Sequence, residues 1–279
     1  MFSIINFAYI IALFKRGMYL KPFSSIGFTI FDIPGYIFFV ILGLIITIGT
    51  FVILLSCKKY PLKENLISLL ISLVSMIIFA KLFGCLSGVY RDIGLGEKLS
   101  WDSVINTGIV FYGGLIGVII SYLICAKKAH QEKHILDIVA VCIPLFHSIT
   151  RIGCFFGGCC FGIESNLGIY YTTTVLGEVV TSYRIPIQLI EAAFNFCLFL
   201  YLLFLYSRDD WLQKSILRRY LLIYSIGRFI IEFWRGDIVR GVVFGVSFSQ
   251  VISIIIWIYL LSTYIISKTK TTVQKELNV

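Results

Sequence analysis

Residues 34–56 read PGYIFFVILGLIITIGTFVILLS, a run of 23 residues without a charged side chain. A helix needs about 20 consecutive apolar residues to cross the hydrocarbon of a bilayer, and this run is long enough. Runs of the same kind recur at about 66–90, 108–125, 135–150, 186–206, 219–234 and 249–267. The pattern predicts an all-α polytopic membrane protein with about seven transmembrane helices. Pro144 and His147 interrupt the fourth run, which leads straight into a Gly- and Cys-rich segment. The expected organisation is an interfacial arm with an amphipathic helix over 1–33, a transmembrane domain over 34–267 and a polar, frayed tail over 268–279. Lys15 and Arg16 follow the apolar start of the chain instead of preceding it, which fits a signal peptide poorly.

Composition agrees. The 279 residues are 58% hydrophobic and 14% charged, with a mean hydropathy of +0.93. Soluble domains carry roughly 25% charged residues, so this chain has too few to coat a water-facing globule. A soluble enzyme, a disordered chain and a secreted disulfide scaffold are excluded on that ground. The net charge of +9 does not point to nucleic acid, because the basic residues sit mostly between the apolar runs. The connections 57–65, 126–134 and 207–219 and the tail hold thirteen Lys and Arg, against nine on the opposite set. That bias predicts an N-terminus outside and a C-terminus in the cytoplasm. Cys85, Cys125, Cys142 and Cys197 lie in apolar runs, where a thiol packs as a small hydrophobe.

Charges inside a bilayer cost a few kcal/mol each, so each marks a candidate functional site. Tyr224, Arg228, Glu232 and Arg235 fall at i, i+4, i+8 and i+11, one polar stripe on an otherwise apolar span. Such a stripe lines a polar cavity unless Arg228 and Glu232 simply neutralise one another. Gln188 and Glu191 sit one turn apart behind Pro186, a residue suited to a helix start. Glu191 either orients nearby arginines or forms a structural ion pair. Arg151 stands at the entrance of a segment with four glycines in ten residues, ending at Gly162, that reads as non-helical. Guanidinium and glycine-rich amides together suit a phosphate head group; the alternative is an arginine snorkelling from a span end. His147, four residues before Arg151, shares its helix face. Tyr112-Gly113-Gly114, with Gly117 beyond, allows close backbone approach to a ligand or to another helix. Lys81 reads as a snorkelling lysine.

Cys154, Cys159, Cys160 and His147 also raise a metal. Their spacing does not match the usual structural zinc patterns, and none is expected. A disulfide from Cys154 to Cys159 or Cys160 is the competing reading.

Four motifs occur in one order: Tyr-Gly-Gly-Leu-Ile-Gly (112–117), Arg-Ile-Gly-Cys-Phe (151–155) closing at Gly162, Pro-Ile-Gln-Leu-Ile-Glu (186–191) and Arg-Phe-Ile-Ile-Glu-Phe-Trp-Arg (228–235). In this the chain resembles the prolipoprotein diacylglyceryl transferases, seven-span bacterial inner-membrane enzymes, over roughly 34–267. The resemblance implies transfer of a diacylglyceryl group from phosphatidylglycerol to the lipobox cysteine of a prolipoprotein, with release of glycerol phosphate. It further implies that Arg151 and Arg228 hold the departing phosphate with support from Arg235, and that Glu232 orients them. Gly113 and Gly114 would admit the lipid head group. No cofactor is needed. Two departures stand out. The family's glycine-flanked element usually begins with a His proposed as base for the thiol, where this chain has Tyr112 as the catalytic candidate, and Cys154 and Cys159 replace an Asn and an acidic residue. The Cys-rich version, with a preceding His like His147, resembles a divergent subgroup. A different acceptor, or lipid binding without chemistry, are the competing functions.

Overall fold

The computed structural model describes residues 29–96, 98, 100–105, 108–128, 135–175, 178–208, 215–236 and 242–276. The expected amphipathic helix of the N-terminal arm lies outside these residues. The described end of the arm is a two-residue hairpin, β1 (Thr29–Ile30) and β2 (Ile33–Pro34), turning through Phe31 and Asp32 at positive φ.

Seven long helices follow among the described residues: α1 (Gly35–Cys57), α2 (Leu62–Leu95), α4 (Phe111–Lys128), α5 (Ile135–Phe156), α6 (Ile187–Ser207), α7 (Ile216–Ile231) and α8 (Phe248–Glu276). A five-residue helix α3 (Trp101–Ile105) precedes α4. Among the described residues five helices are long and apolar enough to cross a membrane: α1, α2, α5, α6 and Phe248–Thr269 of α8. Phe111–Cys125 of α4 is apolar but shorter, and α7 has 16 residues. The chain is a mostly helical polytopic membrane protein.

Two boundaries differ from the expected ones. The helix α5 runs through Pro144 and on past Arg151 to Phe156, so Arg151 lies within a helix and not at the mouth of an irregular segment. Neighbouring helices re-satisfy the backbone that a proline frees in a membrane. Gly153 stays helical because it faces α1, where an added Cβ would meet Phe39 Cβ at 3.0 Å and the Tyr36 carbonyl at 3.2 Å. At the other end, α8 continues to Glu276 through the segment expected to fray. Lys81 Nζ donates to the Ile105 carbonyl at the end of α3, 2.6 Å away.

The helix α5 is the hub. Most of its residues are buried, and it packs on α1, α6 and α7. Asp137 near its start accepts from the backbone N–H of Leu217 at 3.1 Å, satisfying an orphan donor at the start of α7. By contrast α2 and α4 form a close pair beside the hub. A Cβ on Gly117 would lie 2.7 Å from the Ser75 carbonyl, one on Gly114 3.0 Å from Met76, and one on Gly113 would strike the Phe79 carbonyl. These glycines serve the small-residue packing that lets helix backbones touch in lipid. Their open side is filled by α2, so Gly113 and Gly114 do not open toward a head group as the resemblance implied.

The all-α expectation also needs correction between α5 and α6. An antiparallel hairpin joins them, β3 (Glu164–Val175) with β4 (Glu178–Arg184), in a register that sets Tyr170 opposite Tyr183 and Thr172 opposite Thr181. The run Ile169-Tyr-Tyr-Thr-Thr-Thr-Val175 is β-branched and aromatic throughout, which suits a pleated ladder better than a helix. A last small hairpin, β5 (Val242–Val243) with β6 (Val246–Ser247), sits on the end of α2, where Tyr90 donates to the Val246 carbonyl at 2.9 Å.

Gly117→Ala is expected to lower the stability of detergent-solubilised protein by about 1–3 kcal/mol, the usual cost of overpacking. Gly49→Ala, where a Cβ meets nothing within 4 Å, leaves the melting temperature unchanged or slightly higher. Thermal unfolding of both variants beside the parent reads the difference.

Candidate active site

Arg151 comes from α5, Glu191 from the second turn of α6, Arg228 from α7, and Glu232 and Arg235 from the chain just beyond it. They meet on the carboxylate of Glu191, which is 1% exposed. Arg151 Nε lies 3.1 Å from Glu191 Oε2 and Arg235 Nη1 3.6 Å from the same oxygen. Arg228 Nε is 3.9 Å and His147 Nε2 3.6 Å from Oε1. The outer edge of Arg228 pairs with Glu232 one turn on, while its Nη2 donates to Ser249 Oγ of α8 at 3.2 Å. Three cations thus stand against two carboxylates, leaving one net positive charge among these five groups.

Direction matters as well as charge. Arg151 Nε donates to His147 Nε2 at 3.0 Å. That nitrogen is therefore an acceptor, and the neutral ring carries its proton on Nδ1. The contacts of Glu191 are ion pairs by distance, and neither oxygen accepts a well-directed hydrogen bond among the described residues. Phe111 stacks on the imidazole at 3.8 Å between ring centroids, and Tyr224 lies beside both rings, 5.6 Å from the imidazole and 5.3 Å from Phe111. Buried ions cost several kcal/mol each in lost hydration. A cluster of this size with residual positive charge is what an anion-binding cavity requires.

The chain beyond α7 explains how Arg235 arrives. The stripe on α7 was expected to continue helically to Arg235, but the α-helix ends at Ile231 and a 3₁₀ turn covers Glu232–Trp234. Arg235 then takes extended backbone and bridges to Gly162. Flanking bonds complete a short ladder: Ile163 N–H to the Trp234 carbonyl at 3.0 Å, and Gly236 N–H to the Phe161 carbonyl at 2.9 Å. Gly162 is a packing residue here, since a Cβ would strike the Ile185 carbonyl. Gly236 lets the two bridged segments touch, since a Cβ there would lie 2.5 Å from the Gly162 carbonyl, and the ladder so aims Arg235 at Glu191.

Other expected site residues have structural partners. Gln188 donates to the Cys159 carbonyl at 2.8 Å and accepts from the Tyr171 hydroxyl at 3.4 Å, which ties the hairpin and the Cys-rich turn to α6. Burial raises the Tyr171 phenol above its ordinary range, so it remains a donor in that bond. Tyr112 is fully buried, with its hydroxyl 2.7 Å from Ser253 Oγ and its ring edge-on to Tyr224. Tyr224 belongs to the same aromatic wall and stacks on Tyr220. Ser249 and Ser253 escaped the sequence reading. Their i, i+4 spacing on the apolar α8, with Trp257 one turn further donating to Ser225 Oγ at 2.8 Å, is the signal that would have found them.

With this geometry in view, a family model described as prolipoprotein diacylglyceryl transferase matches residues 25–266. The chain belongs to that family. A phosphatidylglycerol–prolipoprotein diacylglyceryl transferase of Clostridium tetani is 38% identical over 153 residues, 54% of this chain and 60% of the relative. The second such transferase of Clostridium perfringens is 35% identical over 186 residues, 65% of this chain and 66% of that protein. The Campylobacter curvus transferase is 26% identical over 257 residues, covering 84% and 90% of the two chains. The chain thus spans less than two thirds of the length of these first two relatives.

Glu191→Gln leaves three arginines facing one another with only Glu232 as counter-charge. It is expected to destabilise the folded protein by about 3–5 kcal/mol, the cost of breaking a buried pair. Glu232→Gln, at the edge of the cluster, costs less. Thermal unfolding in detergent compares the two.

Proposed function

We propose that this chain transfers a diacylglyceryl group from phosphatidylglycerol to the lipobox cysteine of a prolipoprotein. One observation carries the reading: three arginines converge on one buried carboxylate with a net positive charge to spare. The reaction expels an anion. The acceptor sulfur forms a bond to the terminal glyceryl carbon as that carbon's bond to the phosphate oxygen breaks. The electron pair leaves on glycerol phosphate, which takes up the thiol proton or passes it to water. Guanidinium groups fixed beforehand stabilise that developing charge in a water-poor cavity without reorganising.

In this reading Arg151 and Arg228 hold the departing phosphate, Arg235 supports them, and Glu191 and Glu232 set their positions. Glu191 is the stronger positioning residue because it reaches all three arginines. Tyr112 and Ser253 brace the α8 face from which Ser249 meets Arg228, which makes Tyr112 a positioning residue and not the proton acceptor. The seven long helices all cross the bilayer in this proposal, with the N-terminus outside and the C-terminus in the cytoplasm of a bacterial cell. Residues 34–267 form the transferase domain.

Purified protein with phosphatidylglycerol and a synthetic lipobox peptide tests the reading, following glycerol phosphate release and peptide mass together. The expected product is a peptide heavier by one diacylglyceryl group. Glycerol phosphate without modified peptide overturns the acceptor and keeps the donor; neither product, from folded protein, sinks the enzyme. Arg151→Ala and Arg228→Ala are expected to lower turnover by on the order of a hundredfold or more, with the fold retained. Tyr112→Phe keeps turnover within about tenfold, below the loss typical of a missing general base.

A further inference from the structure

Beside the arginine cluster, at the end of α5, the sulfurs of Cys154, Cys159 and Cys160 all lie within 4.8 Å of one another. The main chain brings this about. Cys159 N–H bonds to the Cys154 carbonyl at 3.2 Å and Gly158 N–H to the Phe155 carbonyl at 3.2 Å, with Gly158 at φ +64°. This is the Schellman closure of a helix, in which the residue after the left-handed glycine folds back over the one five positions earlier. Here those two residues are Cys159 and Cys154. The closure explains why a spacing unlike the usual zinc patterns still gathers thiols. Cys160 then adopts φ +57°, a region that non-glycine residues seldom enter. Such an outlier points from strain to a possible task, and here the strained residue supplies the third sulfur.

We propose that Cys154, Cys159 and Cys160 form a three-thiolate site for a thiophilic d¹⁰ cation such as Zn²⁺, with the open fourth position taking the acceptor thiol. Tetrahedral zinc holds sulfur at about 2.3 Å, which sets neighbouring sulfurs about 3.8 Å apart, so no pair has to close by more than about 1 Å. A disulfide would engage two of the three sulfurs, whereas a metal ion engages all of them. Binding converts three S–H groups to thiolates and releases three protons to solvent. Arg151 lies within electrostatic range of Cys154 and Cys160 and offsets part of that negative charge. Cys159 is exposed, which leaves the site an approach from outside. A thiol that joins a metal ion loses its proton outright. The role of the acceptor rests on the transferase reading, in which a cysteine thiol must become nucleophilic where Tyr112 stands in place of a His. The metal site itself does not rest on it.

Co²⁺ is the probe, added anaerobically to the reduced full-length protein in detergent without phosphatidylglycerol. One equivalent per chain is expected to raise a saturable thiolate-to-cobalt charge-transfer band. Cys159→Ser, an exposed change that leaves the fold intact, weakens binding at least about tenfold, since even outer-shell partners change metal affinity by about 10–100-fold. Cys197→Ser, exposed on α6 outside this cluster, does not. A lipobox peptide then strengthens the band by about a third as a fourth thiolate joins three, while its Cys→Ser version leaves it unchanged. No band, a band indifferent to Cys159→Ser, or a Cys154–Cys159 or Cys154–Cys160 disulfide in peptide maps of protein purified in this way overturns the site. A peptide without effect on cobalt-loaded protein overturns the acceptor role. Failure of glycerol phosphate release beside intact cobalt binding counts against the transferase reading alone.

Discussion

One buried carboxylate holds the middle of this protein together. Glu191 draws Arg151 and Arg228 from two helices and Arg235 from an extended segment onto its two oxygens. In a low-dielectric interior each of these charges alone would be expelled or neutralised. Together they are tolerated only while the geometry keeps attraction ahead of lost hydration. The positions of α5, α6 and α7 are therefore set by a shared electrostatic demand as well as by apolar contact. Lipid gives helices no hydrophobic reason to prefer one another, so such a demand weighs more here than in water.

The parts around the hub divide the labour. Small residues bring α2 and α4 together at Gly113, Gly114 and Gly117, and α1 to α5 at Gly153. Aromatic rings of Phe111, Tyr112, Tyr220 and Tyr224 wall the polar cluster from lipid. The extramembrane elements aim it: the bridge from Gly162 to Arg235 and the tie from Gln188 to the Cys159 carbonyl link the third arginine and the cysteine turn to the same frame. The arginine cluster and the cysteine turn thus share one end of α5.

Much of this was legible in the chain because a bilayer imposes a simple rule. A run such as 34–56 without a charge can only be a helix in lipid, and each of the seven runs overlaps a described helix, five of these being long and apolar enough to cross a membrane. Buried charge is rare enough in such runs that Glu191, Arg228 and Glu232 identified themselves by type and period, and Arg151 by type alone. The sequence by itself determined the long helices and the i, i+4 pairings of His147 with Arg151 and of Arg228 with Glu232, since each follows from a local period of 3.6 residues. Only the tertiary structure decided which face of the Gly113–Gly117 turn is occupied, how Arg235 reaches Glu191 after its helix has ended, that residues 164–184 pair as a hairpin, and that three cysteines at an unfamiliar spacing meet. Each of those depends on where a distant segment comes to lie, and contacts across sequence distance leave no period to read.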